Sequence, residues 1–236
     1  MGKSNKKTYK DKNSVKHQPK IILNPLNSKQ ERYIDSILNT PVTVCIGSAG
    51  TSKSYIPTTI ACQMLVEKTI DRVVVCRPTE GPGKSTGFTP GTEQEKLEVW
   101  LRPITETMKM HLGASYFQLL LKRGKIEYCD LHKMKGRSYD NCFIIADEAE
   151  DMDVETIKSL VTRVGQNTTL VINGDIKQTH ITKKSGLGFL LKLIEDHYLP
   201  VSLIEFTLDE CVRSDVTKLF LQAFELEEEK LHKGRK

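Results

Sequence analysis

Lys53 and Ser54 close a run of small residues, Gly47-Ser48-Ala49-Gly50-Thr51-Ser52, that follows the β-branched stretch Val42 to Ile46. A strand, a tight small-residue loop and a helix start in that order make an anion cradle. Successive backbone N–H groups point inward, and the helix N-terminus adds partial positive charge. A lysine at the loop exit reaches β/γ-phosphate oxygens, and the following hydroxyl holds Mg²⁺. The chemistry indicated is nucleoside triphosphate binding through Gly47, Ser48, Ala49, Gly50, Thr51, Ser52, Lys53 and Ser54. The pattern G-x-x-x-x-G-K-[ST] asks for glycine where this chain has Ser52. The plain alternative is a glycine-rich turn between strand and helix.

Two further groups sit at strand ends. Phe143-Ile144-Ile145-Ala146 is an apolar run closed by Asp147-Glu148, and it reads as a buried parallel strand with two acids at its carboxyl end. Ligands of open α/β sheets bind at such ends. Asp147 there coordinates Mg²⁺ through water, and Glu148 orients and deprotonates an attacking water. Taken alone, the pair also fits a solvated strand end. Downstream, Gly174-Asp175-Ile176-Lys177-Gln178 places an amide, Gln178, where it can touch the γ-phosphate or the attacking water. By itself that segment is an ordinary turn.

Positioning these groups requires strands that alternate with helices. Tyr33, Ile34, Ile37 and Leu38 are spaced for one helix face; 42–46 is a strand, followed by a helix from 53 into the mid-60s. Arg72 to Cys76 is a second strand; 93–111 and 114–123 are helices, and Lys125 to Cys129 a short strand. The acidic strand spans 142–146, a helix 153–164, a strand Thr168 to Ile172 and a helix Ser185 to Asp196. Ser202 to Phe206 reads as extended and Asp215 to Glu229 as helical. This alternation predicts an α/β fold with a mainly parallel sheet and right-handed crossovers. The Gly/Pro/Thr-rich stretch Pro78 to Gly91 is too long for a simple connection and reads as functional.

Composition narrows the class. At 236 residues, 38% apolar and 28% charged, the chain suits one α/β domain with a sizeable core. No apolar run approaches a bilayer span and the N-terminus has no signal-peptide core, so the expectation is a cytoplasmic protein without membrane contact. Six scattered cysteines without C-x-x-C spacing read as small buried hydrophobes in a reducing compartment. Of the net charge of +5, much lies in residues 1–20, where seven lysines face Asp11. That segment reads as a disordered basic arm, 21–229 as one domain, and 230–236 as a basic tip. Trp100 falls at helical spacing with Leu97, Leu101 and Ile104 and belongs to the core; His111, His132 and His180 lack metal-ligand spacing.

In the order phosphate loop, Asp-Glu, G-D-x-x-Q, the chain is similar to a superfamily 1 helicase motor core. More closely it resembles the PhoH-like family of phosphate-loop ATPases, over about Asn27 to Phe224. The residues carrying this are the loop Gly47 to Ser54, Arg77-Pro78, Gly87-Phe88-x-Pro90-Gly91 with Gln94-Glu95-Lys96, and Leu101-Arg102-Pro103. They continue with Lys135-Gly136-Arg137, Ile145-x-Asp147-Glu148-Ala149-Glu150, Thr162-Arg163-Val164-Gly165, Gly174-Asp175-x-x-Gln178 and Ser185-Gly186-Leu187, ending with Glu205-Phe206-Thr207 and Val212-Arg213. The resemblance implies a three-layer P-loop NTPase fold of the RecA-like kind, with ATP and Mg²⁺ as cofactors, ATP hydrolysis, and an RNA helicase or RNA-processing role. It implies that Gln30 contacts adenine, Lys53 the phosphates, Ser54 and Asp147 Mg²⁺, Glu148 the water and Gln178 the γ-phosphate. Two positions depart from the family: Ser52 replaces a glycine that allows φ > 0 or close phosphate approach, and Glu150 stands where the family has an amide.

Superfamily 1 helicases place ATP between two motor domains, the second supplying arginines, and this chain has one such domain. An arginine finger is worth roughly 10³–10⁵ in rate, so a homo-oligomeric ring is expected, each site completed by a neighbour. Arg163 and Arg213 are the finger candidates; the alternative for each is a surface or helix-end charge. Single-stranded RNA or DNA is the expected partner, gripped without sequence preference by the 78–91 loop with Arg77 and Lys84, and by Lys133, Lys135 and Arg137. A slow or non-hydrolysing nucleotide-binding assembly module is the alternative, argued by Ser52. A small-molecule kinase fits less well, since G-D-x-x-Q has no task there.

Overall fold

A computed structural model of the chain describes residues 21–78, 101–129, 131–134, 136–178 and 185–233. Six strands form one sheet: β1 (Val42–Gly47), β2 (Arg72–Cys76), β3 (Ile126–Cys129), β4 (Cys142–Ala146), β5 (Thr169–Gly174) and β6 (Ser202–Phe206). Their spatial order is β3-β2-β4-β5-β1-β6, and every described pairing is parallel. The expected α/β sheet is therefore present, parallel throughout rather than mainly so. Its central strands β1, β2, β4 and β5 are buried along nearly their whole length and rich in apolar residues, because both faces are covered by helices.

Alternation along the strands divides the core in two. Val73 and Val75 of β2 with Phe143 and Ile145 of β4 face one side, where α1 (Ser28–Asn39) and α2 (Tyr55–Glu67) contribute Tyr33, Ile37, Ile56 and Ile60. Helices α3 (Arg102–Leu112) and α4 (Ala114–Lys122) complete that layer with Ile104, Met108, Phe117 and Leu120. Val74, Ile144, Ala146 and Ile172 face the other side, against Ile157 and Leu160 of α5 (Val154–Val161) and Leu187 and Leu190 of α6 (Gly186–His197). A last helix, α7 (Asp215–Lys233), leaves Val216, Leu219, Phe220 and Phe224 exposed.

Local chemistry sets the ends of these elements. The Asn27 side chain accepts from Gln30 N at 2.8 Å and caps α1, and Asp153 caps α5 by accepting from Thr156 N. Helix α5 ends at Val161, three residues short of the expected 164, and α7 runs four residues past the expected 229. Helix α2 is buried around most of its circumference, with Thr58 and Thr59 hydroxyls bonded back to the carbonyls of Ser54 and Tyr55. All six cysteines are buried and free, as small core residues. No helix among the described residues is long and apolar enough to cross a membrane. The basic arm 1–20, residues 79–100 with Lys84 and Trp100, Lys135, His180 and the 234–236 end of the tip lie outside the described residues.

Candidate functional site

Parallel strands aim all their carboxyl ends at one edge, so the loops after β1, β2, β4 and β5 converge. There they enclose a cleft of about 300 Å³ lined by Gly50 to Ser54, Arg77, Asp147, Glu148, Glu150, Asn173 to Asp175 and Arg213. Gln30 and Arg163 are absent from this lining.

The loop runs from the end of β1 to the start of α2, with Ser52 as its strained member. Ser52 lies at φ 71°, the left-handed region that favours glycine. Its carbonyl accepts from Ile56 N at 3.1 Å and so opens α2. Its hydroxyl accepts from Gln30 Nε2 at 3.4 Å, while Gln30 Oε1 accepts from Leu26 N at 2.9 Å. Gln30 is buried beside the loop, with both ends of its amide engaged there. Lys53 Nζ donates to the carbonyls of Gly47 and, at 2.7 Å, Ser48, holding the ammonium over the loop.

Ser54 and Asp147, from α2's entry and the end of β4, meet directly: Ser54 Oγ donates to Asp147 Oδ1 at 2.7 Å. Burial raises the Asp147 carboxyl's pKa, the Ser54 hydrogen bond opposes that rise, and Glu148 reinforces it. A buried carboxylate beside a hydroxyl is a hard-oxygen donor pair that fits Mg²⁺, which leaves its other positions to phosphate and water. Among the described residues no group of three or more His, Cys, Asp or Glu side chains is placed to hold a metal. Such an all-protein cage is not the Mg²⁺ mode.

Glu148 also has positive φ, 55°, and its Oε1 is 2.8 Å from Arg77 Nη2. Glu150 is buried against it. Burial first and the Glu148 carboxylate next push the Glu150 pKa up to about 8, although its Oε2 accepts from Asp175 N at 3.0 Å. The shift favours the protonated carboxyl, a form that donates a hydrogen bond as an amide does.

Arg213 reaches its own cleft. Val212 N donates to Gly50 O at 2.9 Å, and a Cβ at Gly50 would come within 2.8 Å of Arg213 Cδ, so only glycine lets this arginine pack on the loop. Arg163 is elsewhere. Its carbonyl accepts from Tyr139 N beside the start of β4, at the opposite end of the sheet from Asp147, and its buried Nε has no hydrogen-bond partner among the described residues. Gln178 ends a short 3₁₀ turn, Ile176–Gln178, just past β5; its side chain is outside the described residues. In the second basic cluster, Arg137 pairs with Glu127 at 2.7 Å and stacks over Tyr139, and the Lys133 and Lys135 side chains are likewise not described. His111 bonds Thr59 Oγ1 at 3.0 Å, a packing role.

Sequence reasoning missed a buried polar lock. The Tyr33 hydroxyl donates to Asn173 Oδ1 at 2.8 Å and stands 3.1 Å from Lys53 O, to which Asn173 Nδ2 donates at 2.9 Å. It also missed Glu225 of α7, whose Oε1 accepts from Ser48 Oγ at 3.1 Å and Lys177 Nζ at 2.8 Å. Asn173 was visible as a polar residue ending an apolar strand; Glu225 gave no signal.

Comparison with known proteins agrees with this geometry. A sequence model described as PhoH-like protein matches residues 22–225. Protein PhoH of Escherichia coli is 33% identical over 202 residues, covering 84% of this chain and 57% of that protein. A PhoH-like protein of Synechocystis is 33% identical over 202 residues, 85% of this chain and 61% of its own length. The chain thus spans about three fifths of the curated relatives it matches. Among solved structures, the large terminase of a thermophilic bacteriophage superposes with a TM-score of 0.52 at 13% identity, over 84% of this chain and 50% of the terminase, a likeness of fold. The chain has the parallel α/β fold of P-loop NTPases and belongs to the PhoH-like protein family.

Proposed function

We propose that this chain binds ATP with Mg²⁺ in the β1–β4–β5 cleft and hydrolyses it, coupled to single-stranded RNA or DNA, as a helicase-type ATPase of the cytoplasm. The observation that carries this reading is the 2.7 Å contact between Ser54 and Asp147 beside the loop, with Glu148 in the next position. Phosphate oxygens would replace the Gly47 and Ser48 carbonyls on Lys53 Nζ, and the loop amides would hold the remaining charge. Ser54 and Asp147 would hold Mg²⁺, which supplies charge neutralisation at the β- and γ-phosphates. Glu148 orients and deprotonates water, Gln178 contacts the γ-phosphate, and Gln30 lies on the adenine side of the loop.

Arg213 is the finger in this reading, and it acts within its own chain, since it already packs on Gly50. Arg163, at the far end of the sheet, is the residue a homo-oligomeric ring would offer to a neighbour. The assembly-module alternative keeps one specific support, the left-handed Ser52. The deciding experiment is ATP turnover with and without single-stranded RNA or DNA at low and moderate salt. Stimulation that falls as salt rises and disappears in Glu148→Gln supports the motor reading. ATP binding without turnover supports the module.

A further inference from the structure

Two residues on neighbouring strands make the least expected contact in the cleft. β2 and β4 pair with Cys76 opposite Ala146, and Asp147 N donates to Cys76 O at 2.9 Å. That register carries the next residues, Arg77 and Glu148, to the same edge. Arg77 Nη2 then meets Glu148 Oε1 at 2.8 Å, with side chains 22% and 36% exposed. Glu148 holds a left-handed backbone, φ 55°, a conformation non-glycine residues rarely adopt. Its carboxylate is flanked by the Arg77 guanidinium on one side and the buried Glu150 carboxyl on the other.

A general base needs an oxygen lone pair turned toward the water it deprotonates. Bound in this way, Glu148 has one oxygen committed to a cation. Arg77 is accessible enough to exchange partners, and a guanidinium binds a phosphodiester through the same fork it offers a carboxylate. Resting on the hydrolysis reading above, we propose that Arg77 is a positioning residue that restrains Glu148, and that a polynucleotide phosphate competing for Arg77 releases the carboxylate to act on water. Nucleic-acid binding and hydrolysis are then coupled through one ion pair, and the coupling is reciprocal. Whatever removes Glu148 from Arg77 strengthens the hold on the strand, and whatever removes Arg77 frees the base.

Reciprocity gives a test that does not depend on turnover. Without nucleotide, Glu148→Gln is expected to bind a fluorescent single-stranded RNA several-fold tighter than the parent at low salt, because the Glu148 carboxylate no longer competes for the guanidinium. Arg77→Ala weakens binding, and Glu148→Gln adds nothing to it in the double variant. Equal affinity of Glu148→Gln and the parent, or tightening that persists in the double variant, overturns the proposal. So does an absence of strand binding by the parent.

In steady-state ATP turnover without RNA, Arg77→Ala is expected to raise kcat several-fold with KM within twofold, and RNA then stimulates it little. A fall in basal kcat would mean that Arg77 serves the γ-phosphate instead, and would also overturn the proposal. If the binding cycle holds while the parent shows no turnover, the hydrolysis reading fails and the Arg77–Glu148 exchange stands.

Discussion

Ser52→Gly restores the residue that the phosphate-loop pattern asks for, and its consequence can be worked from three contributions. Relief of the left-handed backbone at φ 71° gains about 1–2 kcal/mol. Glycine's freedom in the unfolded chain gives back about 0.4–1 kcal/mol. Loss of the Ser52 hydroxyl removes a long 3.4 Å hydrogen bond and leaves the buried Gln30 Nε2 without that acceptor, about 0.5–1 kcal/mol. The sum lies within about 1 kcal/mol of zero, a Tm change of no more than about 4 °C for a chain of this size. Ser52→Ala keeps the strain and loses the hydrogen bond, so it falls below the parent by about 0.5–1 kcal/mol. The expected order in thermal unfolding is therefore glycine above alanine, the reverse of the usual ranking. In MgATP titration, Ser52→Gly is expected to bind at least as tightly as the parent, since a side chain leaves the surface that phosphates approach. Alanine ranking above glycine would refute a left-handed backbone at this position. A glycine variant that loses more than about 2 kcal/mol would show that the Gln30–Ser52 contact had been undervalued.

Asn173→Leu keeps the branched side-chain shape but removes both Asn173 hydrogen bonds, leaving the Tyr33 hydroxyl and the Lys53 carbonyl only each other. With two buried hydrogen bonds lost it should lose about 1–3 kcal/mol in urea unfolding; a loss under about 0.5 kcal/mol would show the lock to be idle. For Glu150, a folded-state pKa of about 8 against an ordinary 4.5 means that the chain gains proton affinity on folding. Its stabilising contribution is full below about 4.5 and is lost as pH rises toward about 8, by at most about 1.4 kcal/mol per pH unit. Glu150→Gln, neutral at every pH, should flatten the urea midpoint between pH 5 and 8, and an unchanged slope would place the titration elsewhere.

What the sequence made legible was whatever short-range pattern dictates. Strand β4 could be read because a strand buried on both faces must be apolar at every position, as Cys142 to Ala146 are. Lys53, Ser54 and Asp147 could be brought to one cleft because the loop after one parallel strand and the acid ending another must share the carboxyl edge of the sheet. Features that depend on which strands become neighbours were hidden. Arg77 and Glu148 lie 71 positions apart and meet only because β2 pairs with β4. Tyr33, spaced like a core aromatic, also carries a hydroxyl to Asn173, 140 positions away. In the sequence Arg213 was a finger candidate or a surface charge, and the fit of its side chain over Gly50 puts it on its own loop. Arg163 and Arg213 looked alike as finger candidates; the fold puts them at opposite ends of the sheet.

The central claim is that the loop ending in Lys53-Ser54 is a nucleotide site, and calorimetric titration with ATP in the presence and absence of Mg²⁺ tests it most directly. The account predicts one site per chain, tightened by Mg²⁺, with the Mg²⁺ effect removed by Ser54→Ala and binding itself lost in Lys53→Ala. Unchanged ATP affinity in Lys53→Ala would contradict it.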